Sequence, residues 1–169
     1  RSGLKEVEVE TLVSANTAFA LDLYRQLRRG EGNLFLSPYS ISVALAMTYT
    51  GARGTTAEEM ARVLHFDLFK GAGGPASRLH PAFGELISRI NALGQSGECR
   101  LSVANALWGQ KGAGFLPGFL NLLRTHYGAG LREVDFVSAA EAARKAINTW
   151  VEGETQGKIQ DLIPPGILD

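Results

Sequence analysis

Asn33-Leu34-Phe35-Leu36-Ser37-Pro38-Tyr39-Ser40-Ile41-Ser42-Val43-Ala44-Leu45-Ala46-Met47 changes character at its middle. The short apolar run Asn33 to Leu36 reads as a buried strand. Ser37-Pro38 then reads as a helix start. The serine can cap free amides, and proline at the first helical position loses no hydrogen bond. The helix predicted over Pro38 to Thr50 is apolar nearly all round, as expected of a helix inside a larger body. Its polar head is the exception. Ser37, Ser40 and Ser42 need hydrogen-bond partners if they are buried. Either Ser37 is only a cap and the others bond their own helix, or the three form a polar cluster beneath a sheet.

Upstream, Ala15, Phe19, Leu23 and Leu27 recur at helical spacing and predict a helix from about Ser14 to Arg29. Downstream, Gly51 and Gly54 close the second helix, and Thr55-Thr56-Ala57-Glu58-Glu59 offers a capping box in two registers. The helix it opens reaches Leu64 or His65, with Met60, Val63 and Leu64 inward. Leu79, Phe83, Leu86, Ile87, Ile90 and Leu93 mark a fourth helix. Cys99 to Trp108 reads as a strand covered on both faces. Phe115, Phe119, Leu122 and Leu123 mark a helix ending at Gly128 or Gly130, and Leu131 to Phe136 a second strand. Ser138-Ala139-Ala140-Glu141 is a further capping box, opening a helix with Ala139, Ala143, Ala146, Ile147 and Trp150 on one face. The pattern is α+β.

The 169 residues carry 17 basic and 17 acidic side chains, with 45% apolar and 20% charged residues. This excludes disordered, collagen-like and coiled-coil chains. Balanced charge argues against a nucleic-acid partner, because phosphate binding needs a basic excess. No apolar run reaches about 18 residues, so no membrane span is expected. Arg1 to Lys5 shows no apolar signal core. The lone Cys99 excludes an internal disulfide framework and reads as a small core residue.

No catalytic, metal or cofactor chemistry is expected. His65, His80 and His126 are too widely spaced for a helical zinc motif and read as surface or helix-end histidines. Gly153-Glu154-Thr155-Gln156-Gly157-Lys158-Ile159 fails the phosphate-loop pattern, with one residue too few between its glycines and Ile159 where a hydroxyl belongs. Gly112, Gly114 and Gly118 do not fit the dinucleotide pattern, and no Gly-x-Ser-x-Gly elbow exists. Arg25, Arg28 and Arg29 read as a solvated helix end.

Several stretches together resemble the serpins, the serine protease inhibitor superfamily. They are Asn33 to Ser42, Ala44 to Met47, Gly51-Ala52-Arg53-Gly54-Thr55-Thr56, Val103-Ala104-Asn105-Ala106-Leu107-Trp108, Ile147-Asn148-Thr149-Trp150-Val151 and Thr155-Gln156-Gly157-Lys158-Ile159. They stand in the family's order over about Thr11 to Asp169. The resemblance implies an incomplete serpin fold: helices A to F, the first strands of a large mixed sheet, and one N-terminal part of a single domain over 1–169. It implies that Asn33, Ser37, Pro38, Ser40 and Gly51 belong to the shutter where sheet A parts. It also implies that Asn148, Thr155 and Gly157 belong to helix F and its return, the gate over that sheet.

The function implied is suicide inhibition, in which a protease cuts a reactive loop that inserts into sheet A as a new strand. Serpins are themselves the type case of such strand addition and of released strain. The implied partners are a target serine or cysteine protease and the C-terminal part of the serpin, with no enzymatic activity and no cofactor. The reactive-site bond is not in this chain. A non-inhibitory serpin, acting as carrier or chaperone, is the alternative. Family habit suggests secretion, while one cysteine fits either side of the cell membrane. Arg78, His80 and Arg89 form no dense basic face, so heparin-type activation is not expected.

Overall fold

The structure, a computed structural model, describes residues 2–168 except 72–73, 96–100, 102 and 129. Among the described residues the α-helices are α1 (Ser2–Leu27), α2 (Pro38–Tyr49), α3 (Gly54–Val63), α4 (Ala76–Gln95), α5 (Pro117–Tyr127) and α6 (Ala140–Glu154). A 3-10 turn spans Phe66–Leu68, and two short strands, β1 (Trp108–Gln110) and β2 (Arg132–Val134), run parallel with α5 between them. A parallel pair needs such a crossover, because a tight hairpin can join only antiparallel strands.

The core lies where α1, α2, α4 and α5 meet. Leu12, Phe19, Val43, Met47, Leu79, Phe83 and Leu123 fill it. Phe66 packs edge-on between Tyr49 at 5.5 Å and Phe83 at 6.0 Å, geometry that favours aromatic quadrupoles. Ser37 caps α2 as its sequence predicts, accepting the Ser40 amide on its hydroxyl, with Pro38 at the first helical position. Gly128 closes α5 in the left-handed conformation, at φ 65°.

Several expectations are corrected. α1 begins about three turns before Ser14, and Val9 and Leu12 of this extension are buried while Leu27 is exposed. Asn33 to Leu36 is not a strand; Phe35 is fully exposed, because no strand among the described residues lies beside it to complete a ladder. α2 is not buried all round, since Leu45 reaches solvent. Neither capping box forms. α3 starts two residues too early for Thr55 to cap it, with Arg53 at the N-cap position. At α6 the Ser138 amide turns back to Asp135 instead.

Val63 and Ala146 face outward rather than inward. The strand expected over Cys99 to Trp108 is confined to Trp108–Gln110, with 103–107 half-buried and irregular. Cys99 itself lies outside the described residues. His80 is no surface histidine: it is 1% exposed, with Nδ1 2.6 Å from the Tyr127 hydroxyl across the α4–α5 contact. His65 and His126 are half-buried.

Candidate functional site

α6 is set over the sheet by a turn that β1 holds. Gln110 accepts the Phe136 amide at 2.8 Å and donates to Asp135 at 3.2 Å. The Asp135 carboxyl is held below the usual carboxylate range, chiefly by the Ser138 N–H it accepts. The buried face of α6 then reads Ala143, Arg144, Ile147, Asn148 and Val151, at helical spacing.

Two of these residues are polar, and both grip the backbone of one residue of the returning chain. Asn148 donates its Nδ2 to the Ile163 carbonyl and accepts the Ile163 amide, each at 2.9 Å. Arg144 donates to the same carbonyl at 2.9 Å. Its guanidinium is nearly buried, so it needs a counter-charge. Glu141 supplies it through two contacts of 2.7 and 2.8 Å, and Arg144 holds that carboxyl below its usual range. Lys145 adds a looser pair with Glu141 at 3.7 Å.

The chain reverses at the end of α6 through two interlocked amides. The Gly157 N–H donates to the Glu152 carbonyl at 2.8 Å and the Gln156 N–H to Gly153 at 3.2 Å. This helix ending places Gln156 in the left-handed region, at φ 53°, followed by Gly157 at φ 74°. Buried Thr155 donates to the Val151 carbonyl at 2.8 Å and accepts the Ile159 amide at 3.1 Å. Asn148, Thr155 and Gly157 are thus brought into one structure, a polar clasp folding segment 158–163 back along α6.

The five residues expected at the shutter are not gathered in the same way. Ser37, Pro38 and Ser40 share the head of α2, where the Ser37 hydroxyl donates to Ser40 Oγ at 3.1 Å. Gly51 lies past the opposite end, beside the Phe119 ring, and the twelve residues of α2 between them span about 18 Å. Asn33 sits on the exposed segment before the cap. Ser42 bonds neither its own helix nor the cap. Fully buried, it donates to Asn16 Oδ1 of α1 at 2.6 Å.

Arg144, Asn16 and the His80–Tyr127 pair were not anticipated. Arg144 carried a signal, since it lies three residues after Glu141 and four before Asn148 on one face. The others join residues 26 and 47 apart, and no local pattern encodes such pairs. Among the described residues, no three His, Cys, Asp or Glu side chains gather to hold a metal. No helix there is long and apolar enough to cross a membrane.

The family model described as serpin (serine protease inhibitor) matches residues 14–169. The chain belongs to the serpin family. It is 47% identical over 163 residues to the leukocyte elastase inhibitor of Sus scrofa and 44% identical to that of Homo sapiens, covering 95% of this chain and 41% of each relative. Serpin B6 of Pongo abelii is 43% identical over 162 residues. The serpin fold is also that of emu ovalbumin (Dromaius novaehollandiae), which superposes with a TM-score of 0.78 at 29% identity, over 92% of this chain and 42% of that one. The chain therefore spans about two fifths of the length of the serpins it matches, and its architecture is a partial serpin fold.

Proposed function

We propose that this chain is the N-terminal part of a serpin that inhibits an elastase-like serine protease by suicide-substrate trapping. The observation that carries this reading is the 47% identity, over 95% of the chain, to a protein named as an elastase inhibitor. In this reading a protease acylated on the reactive loop is trapped when the cut loop enters sheet A as a new strand. The head of α2 serves as the shutter and α6 with its return as the gate. A gate built from hydrogen bonds suits this work, because polar partners can be exchanged one at a time as the sheet opens. Apolar packing would be lost all at once.

The test is to incubate the complete protein with neutrophil-type and pancreatic elastases and run denaturing gels. A covalent complex stable to detergent is expected. Cleavage of the loop with no complex would overturn the inhibitor reading and favour a carrier or chaperone.

A further inference from the structure

We propose that Arg132 is a positioning residue that latches α6 onto the sheet, and so sets how readily a new strand can enter. This rests on the reading of α6 as a gate. Arg132 and Trp108 are direct partners in the parallel register of β2 and β1, so their side chains leave the same face of the sheet. Trp150 descends from α6 onto that face. Its ring centroid lies 6.0 Å from that of Trp108, with the planes at 73°. The Arg132 guanidinium reaches both rings, 5.7 Å from the Trp108 centroid and 5.3 Å from the Trp150 centroid. One planar cation therefore bridges the sheet and the helix through the electron-rich faces of two indoles.

Two further observations make this a latch rather than ordinary packing. No ion pair with a carboxylate is present at Arg132 among the described residues, so its charge is directed to the rings. The Trp150 Nε1 is buried with no hydrogen-bond partner. Trp150 is therefore held by ring contacts without a hydrogen bond from its indole, and an indole docked without its N–H satisfied is easier to release. Besides the turn that Gln110 of β1 holds, α6 grips its own return segment through Arg144 and Asn148, contacts that hold the return to the helix and not the helix to the sheet. Among the described residues, Arg132 is a cationic link across that boundary.

The complete protein is compared with its Arg132→Gln and Arg132→Lys variants. Amide hydrogen exchange over 140–154 is measured in the free protein, together with the rate at which a synthetic peptide of its own reactive loop anneals. Arg132→Gln should speed both about three- to tenfold. Arg132→Lys, which keeps the charge but loses the planar stack, should fall between. Unchanged exchange in Arg132→Gln would overturn the latch. Faster exchange with unchanged annealing would overturn its control of strand entry. A wild-type protein that anneals no peptide and traps no protease would overturn the gate reading instead, and the exchange series would still decide the latch.

Discussion

His80 shows how far a single side chain can depart from its sequence surroundings. Burial, with His126 nearby as a lesser cause, pushes its pKa down to about 4. The folded state thus binds fewer protons than the unfolded chain between that value and the ordinary histidine value near 6.5. The contribution to stability is complete above about 6.5 and drains away as pH falls towards 4, roughly 3 kcal/mol in all. Thermal unfolding should show Tm falling over that window. The double substitution H80F/Y127F removes both hydrogen-bonding groups while keeping two rings, and should flatten the slope. A slope that survives in the double variant would assign the acid sensitivity to other groups.

At the scale of an element, α6 and α2 carry different kinds of polar work. Asn148 meets both backbone groups of Ile163, so Asn148→Ala leaves the Ile163 amide unpaired and its carbonyl held by Arg144 alone, at a cost of about 1–2 kcal/mol to the closed clasp. Limited proteolysis should cut segment 158–163 about tenfold faster in that variant. Cleavage at the wild-type rate would mean that Arg144 alone holds the return. At the head of α2, Ser40 is half-buried and its amide and hydroxyl both meet the Ser37 hydroxyl. Ser40→Phe puts a ring where two hydroxyls meet. In the complete protein, mild heating should then give polymer ladders on native gels at a temperature where the wild type stays monomeric. Monomer at that temperature would remove the shutter role from this end of α2.

For the molecule as a whole, the decisive fact is how much apolar surface stays uncovered. Phe35 is fully exposed, Val137 is 83% exposed and Leu116 is 71% exposed. Large apolar side chains left this exposed mark surfaces that a partner or further chain would cover. Produced by itself, the 169-residue chain should bind a hydrophobic dye strongly and melt without a sharp transition. Supplying the remainder of a serpin in trans should suppress both. A cooperative, dye-free melt of the isolated chain would mean that these side chains are not docking surfaces for further serpin structure.

The amino-acid order by itself determined the family, the existence of the six α-helices among the described residues, the Ser37-Pro38 start of α2 and the choice of Gly128 or Gly130 as the end of α5. Each is written within a few residues, as a 3.6-residue period, a cap or a left-handed glycine. Asn148, Thr155 and Gly157 came instead from the family resemblance, carried by the stretches Ile147 to Val151 and Thr155 to Ile159. Local reading could not decide Asn33 to Leu36, whose apolar run suits a strand but forms one only where a neighbouring edge supplies hydrogen bonds. Tertiary structure alone decided the burial of His80, the Ser42–Asn16 bond, the grip of Arg144 on Ile163 and the seat of Arg132 between two tryptophans. Those pairings depend on where separate elements come to rest, and that is set by packing of the whole core rather than by any window of the chain.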